Sequence, residues 1–396
     1  MMQISPEIQL FIREHSSDDV RALALQVKKY PDIDMLTAIT QIAGRKVAAE
    51  KIPSWWEIEK IWYPKHLSLE QCSSEITARY KARLLQGDSL TDLTGGFGID
   101  CSFLATGFKS ATYVERQEEL CEIAAHNFPV LNLSHINIKN EDGVTYLQAM
   151  SPVDCLFLDP ARRNEHGGKT VAISDCEPNV AELEELLLQK ANRVMIKLSP
   201  MLDLSLALKE LKQTQEVHIL SVNNECKELL ILLGQTSPTE ISIHCVNLST
   251  KETQEEQHFV FTREQEQCSE CTYTDSLETY LYEPNASLLK AGAFRSIAAA
   301  YPVRKLHPNS HLYTSDTFIE NFPGRIFRIV NQCSFNKKEV KENLADLKKA
   351  NVTVRNFPAT VAELRKRIHL AEGGDTYLFA STLNNGQKVL IRCEKV

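Results

Sequence analysis

From Ser89 to Gly234 the chain alternates short apolar runs with helical periods, and no other feature narrows its fold so far. SLTDLTG (89–95), ATYVER (111–116), INIKN (136–140), DCLFLDP (154–160), RVMIKLS (193–199), VHILSV (217–222) and ELLILLG (228–234) read as strands. Helical periods fall between them, at about 99–105, 117–128, 143–150, 178–190 and 203–213. Such alternation lays strands in parallel, with crossover helices on both faces of a doubly wound α/β sheet. The last two strands are the exception. Only a short turn joins them, and a parallel crossover needs about a dozen residues or more, so this pair must run antiparallel.

The first of these strands leads into LTDLTGGFGID (90–100), with three glycines in four positions. Glycine permits positive φ and lets a ligand approach the backbone where a Cβ would stand in the way. Such a turn at the carboxyl end of a strand opens onto a helix N-terminus, whose N–H groups point outward. A dinucleotide fold would require G-x-G-x-x-G. Here Gly96-Phe97-Gly98 is followed by Ile99, Asp100 and Cys101, so the third glycine is missing. The pattern present is D-x-x-x-G-x-G, from Asp92 to Gly98.

Seven strands with an antiparallel end, opened by this motif, resemble the class I S-adenosylmethionine-dependent methyltransferases. The resemblance implies that the glycines lie under the methionine part of the cofactor and that Asp92 orients its amino-acid end. It implies that Glu115, ending the second strand, takes both ribose hydroxyls; a carboxylate suits that task because it accepts two hydrogen bonds at once. Asp142, in Asn140-Glu141-Asp142, is expected against the adenine amino group. Asp159-Pro160 ends the fourth strand and is expected to face the methyl group and its acceptor. The implied cofactor set is Asp92, Thr94, Gly95, Gly96, Gly98, Glu115, Arg116, Asp142 and Asp159. The implied catalytic set is Asp159, Pro160, Arg162 and Lys197, and no metal is expected.

The acceptor stays open between two chemistries. Amino-group methyltransferases often carry Asp/Asn-Pro-Pro-aromatic at this point, whereas this chain has Asp159-Pro160-Ala161-Arg162-Arg163, with Arg162 able to stack on a base or hold a phosphate. NEHGGKTVA (164–172) reads as a loop over the site, with Gly167-Gly168 as hinge. Cys176 lies near, but nothing around it resembles the motifs of cysteine-dependent C5 methylation. A Lys–Asp–Lys–Glu tetrad of ribose 2′-O-methyltransferases is similar to Lys81, Asp159, Lys197 and Glu228 in placement. A lysine held among carboxylates could take a hydroxyl proton as the methyl transfers.

Outside the sheet, Ser5-Pro6, Ser16 to Asp19 and Asp32 begin helices in the first 80 residues, the third running to Lys51. Ser68 opens another helix through about Leu85. EISIHCVNL (240–248) and QHFVFTRE (257–264) read as two more strands. The C-terminal part resembles the two small modules, ferredoxin-like and THUMP-like, that follow the methyltransferase in a bacterial family. There GRIFRIVN (324–331), TYLFASTL (376–383) and KVLIRCEKV (388–396) read as strands, and NKKEVKENLADLKKA (336–350) as a helix. The expected organisation is an N-terminal helical region (1–80), a Rossmann-like methyltransferase domain (81–236), a β-rich, ferredoxin-like segment (237–318) and a THUMP-like α/β domain (319–396).

Charge bears on the partner. Net charge is −8, yet residues 289–396 carry +9 and the remainder −17. A basic quarter on an acidic body is the asymmetry of a polyanion-binding appendage, and equally of a solvated basic face. Lys337, Lys338, Lys341, Lys348 and Lys349 on one helix, with Arg365-Lys366-Arg367, would form a phosphate-contacting face. The 11 cysteines are odd in number and scattered through apolar runs, as expected of reduced thiols in a cytoplasm. Cys268-Ser269-Glu270-Cys271 has no second pair at zinc-site spacing. No apolar run of about 18 residues reads as a membrane span, and the N-terminus lacks the layout of a secretion signal. The expectation is a cytoplasmic S-adenosylmethionine-dependent methyltransferase acting on tRNA or rRNA, at a base nitrogen before a ribose 2′-O. The alternatives are a small-molecule or protein methyltransferase, or a non-catalytic, cofactor-binding RNA adaptor.

Overall fold

The computed structural model describes residues 4–162, 172–236, 238–251 and 255–396, and only the backbone of Arg162. Two compact units divide the chain: Met1–Gln215 with Leu230–Pro238, and Glu216–Leu229 with Thr239–Val396. Among the described residues no helix is long and apolar enough to cross a membrane.

In the first unit the N-terminal helices start where their capping residues dictate. Helix Pro6–Glu14 is capped by the Ser5 hydroxyl, Val20–Ala24 by Asp19 and Met35–Lys51 by Asp34, each accepting a backbone N–H of the first turn. Ile8, Phe11, Leu23, Met35, Ala38 and Ile42 close over one another as a small core. The helix expected from Ser68 to about Leu85 is instead two, His66–Gln71 and Glu75–Ala82. The backbone is extended at Cys72 and again at Ser74, where the second helix begins. Between them the Ser73 hydroxyl donates to Asp100 Oδ2 at 2.7 Å. Tertiary hydrogen bonding thus outweighs continuous helix propensity here.

The sheet of this unit contains β1 (Ser89–Asp92), β2 (Ser110–Glu115), β3 (Ile136–Asn140), β4 (Val153–Leu158) and β5 (Ala191–Leu198). Their order is β3-β2-β1-β4-β5, all pairs parallel. Helices Ile99–Ala105, Glu118–Val130, Gly143–Ala149 and Val180–Lys190 make the crossovers. Cys155 to Leu158 are all buried, the unbroken apolar run of a central parallel strand covered on both faces. Each such side chain contributes about 1.5–3 kcal/mol through burial. The N-terminal helices pack on the loop after β1: Ile52, Trp55, Tyr63 and Ala78 share a core with Phe97 and Ile99. The Trp55 and Phe97 rings meet edge to face at 5.2 Å. A ribbon pairing Ala161–Arg162 with Cys176–Glu177 follows β4.

Strands β6 (Thr214–Val222) and β7 (Glu225–Gly234) each contribute residues to both units, and the Leu230–Gly234 part of β7 continues the first unit's sheet beyond β5. In the second unit, β7 begins next to β6, which pairs in parallel with β8 (Ser242–Leu248), and β8 pairs antiparallel with β9 (Gln257–Thr262). The link from β6 to β7 is Asn223-Asn224, with φ of 51° and 66°. Two consecutive positive φ values define the type I′ hairpin turn, so the expected antiparallel reversal is made in two residues.

The second unit also holds a seven-stranded sheet. It comprises β10 (Tyr280–Pro284), β11 (Arg304–Lys305), β12 (Tyr313–Ser315), β13 (Gly324–Ser334), β14 (Asn351–Val354), β15 (Thr376–Thr382) and β16 (Lys388–Lys395), ordered β11-β12-β10-β13-β16-β15-β14. Glu283 on β10, 1% exposed, is satisfied by the guanidinium groups of Arg325 and Arg355. Helices Lys337–Leu344 and Val361–Ile368 bury Leu344 and Leu364 in one core with Leu378 and Leu390. The basic helix is shorter than expected, so Lys348 and Lys349 lie beyond it. There Lys348 O accepts from Ala371 N–H and Ala350 N–H donates to Ala371 O, and this strand-like pairing ends the helical run.

Candidate active site

The turn after β1 is built around Tyr113 of β2. A Cβ added to Gly95 would stand 2.2 Å from Tyr113 Cε2, so only glycine fits there. Gly96 and Gly98 have φ of +54° and +86°, the left-handed region that favours glycine. The Tyr113 hydroxyl donates to Gly96 O at 2.5 Å, and Gly95 N–H donates to Val114 O at 2.9 Å, fixing the turn against β2. Helix Ile99–Ala105 starts directly after Gly98. At the end of β3, Gly143 is equally constrained, because a Cβ would meet Leu93 O at 2.2 Å.

Carboxylates ring this turn. Asp92 is 1% exposed, and its Oδ1 accepts the Thr94 N–H at 3.0 Å. Its Oδ2 is buried without a hydrogen-bond partner among the described residues. Burial pushes the Asp92 carboxyl up to about 8, opposed by the Thr94 amide and aided by Asp100, Asp159 and Glu115. Glu115 accepts Gly96 N–H through Oε2 at 2.9 Å and Gln117 N–H through Oε1 at 2.8 Å. Each of those oxygens retains a second lone pair. Asp142 is exposed and caps helix Gly143–Ala149, its Oδ1 accepting from Val144 and Thr145 N–H at 3.0 Å. Exposed Arg116 approaches Glu177 at 3.9 Å. Thr94 knits two loops: its hydroxyl accepts the Asp159 N–H at 2.6 Å.

Beside the turn lies a chain of alternating charge. Lys197, near the end of β5, donates to Asp159 Oδ2 at 2.5 Å and lies 3.4 Å from Asp100 Oδ2. Lys81 is fully buried, 2.9 Å from both Asp100 Oδ1 and the Ser73 hydroxyl. Burial alone would raise the Asp100 carboxyl; the ammonium groups of Lys81 and Lys197 and the Ser73 hydroxyl outweigh it and hold Asp100 at about 2. A buried ammonium is tolerable only when paired in this way. Asp159, the most open member at 37% exposure, marks the solvent end of the chain.

Asp92, Thr94, Gly95, Gly96, Gly98, Glu115, Asp159 and Lys197 thus sit at neighbouring strand ends. Pro160 is buried behind Asp159, and Arg162 is placed only as backbone, paired with Cys176. Residues 164–171 of the expected covering loop lie outside the described residues. Cys176 is a buried free thiol. Glu228 is buried and belongs to the other unit. Sequence reading passed over Asp100 and Ser73, which join the two lysines, and Tyr113, which explains Gly95. Asp100 is the second residue of the helix after the glycine turn, and nothing in the sequence marks it as buried.

This arrangement can hold a cationic, sugar-bearing ligand. The partnerless Asp92 oxygen suits an ammonium group, the bare turn admits close approach, and Glu115 offers paired acceptors.

Residues 280–323 match the family described as a ferredoxin-like domain, and residues 324–395 that described as THUMP domain-like. The crystal structure of a candidate methyltransferase from Porphyromonas gingivalis W83 superposes with a TM-score of 0.87 at 35% identity, covering 98% of each chain. An rRNA methylase from Streptococcus thermophilus aligns over 40% of this chain and 93% of its own, at 14% identity and a TM-score of 0.29. A candidate methyltransferase from Streptococcus mutans in complex with SAH aligns over 40% and 96%, at 14% identity and a TM-score of 0.30. The two streptococcal likenesses are too slight to carry an argument. No curated protein matches the chain.

Proposed function

We propose, for a chain that belongs to the family of the Porphyromonas gingivalis candidate methyltransferase, that it moves a methyl group from S-adenosylmethionine to RNA. The observation that carries this reading is the buried oxygen of Asp92, without a hydrogen-bond partner among the described residues, beside a turn that requires glycine at Gly95 for space and favours it at Gly96 and Gly98 for their positive φ. When bound, the cofactor supplies an electrophilic methyl group on a sulfonium. The chain's own residues then have separable tasks. Asp92 and the Gly95–Gly98 backbone hold the amino-acid end, Glu115 the ribose hydroxyls and Asp142 Oδ2 the adenine edge. Arg116, next in the chain to Glu115, would complete the cofactor set. Asp159, with Pro160 stiffening its backbone, accepts a hydrogen bond from the acceptor and orients its lone pair for transfer. Arg162, on the short strand after β4, is the further residue proposed for the acceptor side.

A base nitrogen is the acceptor this reading favours. A ribose hydroxyl is the second reading, supported by the Lys197–Asp159 contact. There Lys197, in its neutral amine form and with Asp159 and Asp100 fixing its position, would receive the hydroxyl proton on its nitrogen lone pair as oxygen bonds to carbon. RNA is preferred as substrate because Lys337, Lys338, Lys341, Lys366 and Arg367 are exposed in the THUMP-like segment. Radiolabelled methyl transfer into total RNA from a deletion strain, followed by mass spectrometry of nucleosides, tests the proposal. Methyl in one nucleoside supports it, and the methylated atom separates base from ribose. Label only in protein or small molecules removes the RNA assignment. Tight cofactor binding without incorporation into any fraction would leave a non-catalytic adaptor.

A further inference from the structure

Strands β6, β8 and β9 place three imidazoles and a carboxylate on one face, in a part of the second unit that the proposed methyl transfer does not use. In the parallel pairing of β6 with β8, Glu216 lies opposite Ser242 and His218 opposite His244. Side chains two apart share a face of a strand, so all four point the same way. On β9, His258 is opposite Val246, diagonal to His244 and on the same face. The His218 and His244 rings have centroids 4.3 Å apart, and His218 Nε2 lies 3.3 Å from Glu216 Oε2. His244 Nδ1 is 3.2 Å from His258 Nε2.

We propose that Glu216, His218 and His244 form a binding site for a divalent transition-metal cation of the zinc class. One ligand atom from each of the three lies within 4.8 Å of the other two. Ligand atoms about 2.0–2.1 Å from a tetrahedral zinc ion are about 3.3 Å apart, so the three must close by about 1.5 Å or less. Side-chain rotations that turn the imidazoles from stacked toward edge-on would supply that movement. Two imidazoles and one carboxylate are a donor set suited to zinc, and three protein ligands leave a position for water or for His258. Both ring nitrogens of His244 already have a polar neighbour, Nε2 the Ser242 hydroxyl at 3.1 Å and Nδ1 the His258 Nε2 at 3.2 Å, so the nitrogen that does not bind the cation is oriented. A hydrogen-bonded outer group of this kind fixes the tautomer of a metal-ligating histidine. Access is provided by half-buried Glu216 and exposed His258, while His218, 2% exposed, anchors the inner end. A bound cation would cross-link adjacent strands.

The test uses the full-length, reduced protein, stripped with chelator and titrated with Co²⁺. Saturable binding with visible d–d bands, and without the sulfur-to-metal charge-transfer band that cysteine ligands give, is expected. Zn²⁺ should displace Co²⁺. Glu216→Gln and His244→Asn should each weaken binding at least tenfold, while Cys268→Ser/Cys271→Ser should leave it unchanged. Glu216 is only half-buried, so its variant reports on coordination even if a change at buried His218 prevents folding. No saturable binding, a dominant sulfur band lost in the double-cysteine variant, or wild-type affinity in folded Glu216→Gln would each overturn the proposal.

Discussion

Gly95→Ala would place a methyl carbon 2.2 Å from Tyr113 Cε2, 2.5 Å from Cδ2 and 2.6 Å from Cζ. Ordinary carbon contacts lie at about 3.5–4.0 Å, so the overlap exceeds 1 Å. The ring cannot easily yield. Tyr113 is fully buried, its hydroxyl is bonded to Gly96 O, and Phe128 meets its edge at 5.4 Å. The glycine turn must therefore move, away from the geometry that brings Gly96 N–H to Glu115. Overpacking of this kind costs about 1–3 kcal/mol, and this site belongs at the upper end. If the displaced turn alone sets the binding-competent state, about 3 kcal/mol corresponds to roughly a hundredfold loss of affinity. Urea unfolding and calorimetry with S-adenosylhomocysteine measure the two effects separately. Gly96→Ala is the comparison: the nearest atom to its Cβ is 3.8 Å away, so only the left-handed φ of +54° is penalised, by about 1–2 kcal/mol. Replacing the ring in Gly95→Ala/Tyr113→Leu should recover part of the loss, with a coupling energy of about 0.5–3 kcal/mol. Wild-type stability and affinity in Gly95→Ala, or strict additivity in the double variant, would refute the reasoning.

Three further outcomes follow from the buried charges. Asp92 sits near 8 in the free protein, so a cationic ligand at its Oδ2 must draw off a proton near pH 7. S-adenosylhomocysteine affinity should rise as pH increases toward 8 and level off above it. The calorimetric enthalpy should depend on buffer ionisation, and Asp92→Asn should remove that dependence. Asp100 is the opposite case: its folded value, about 2, is depressed, so its contribution is present above the ordinary carboxylate value of about 3.9 and is lost as pH falls toward 2. Asp100→Asn leaves two lysines without their shared partner and should cost about 3–5 kcal/mol at neutral pH, measured by denaturant unfolding; a loss below 1 kcal/mol would remove its bridging role. Lys197→Met should abolish hydroxyl methylation while S-adenosylhomocysteine still binds, and full turnover in that variant would exclude Lys197 as proton acceptor.

The parallel strands were legible because each is a compact apolar run ended by a polar or glycine residue, and strand ends are where such a sheet gathers its chemistry. The glycine turn was legible for the same reason, although Tyr113, the residue that forbids a side chain at Gly95, carries no local signal. Asp100 was not legible as a bridge. Its meaning depends on Lys81 and Lys197, brought to it by the helix before β1 and by β5, and no periodicity records such a meeting. The break at Cys72–Ser74 was missed because a capping pattern at Ser68 is locally sound, while the competing Ser73–Asp100 bond is tertiary. In the C-terminal part, Lys348 and Lys349 fit a helical repeat, but backbone pairing to Ala371 removes them from it.

The Thr94 hydroxyl accepts a hydrogen bond from the Asp159 N–H, while its own N–H donates to Asp92. Thr94 therefore links the segment proposed to lie beneath the cofactor with the residue proposed to face the acceptor. If the proposed roles hold, an acceptor bearing on Asp159 would be felt at the glycine turn, and a cofactor filling the turn would bear on Asp159. Cofactor and acceptor should consequently bind with non-additive affinities, and uncoupling them with Thr94→Val should leave two independent ligands where there had been an ordered pair.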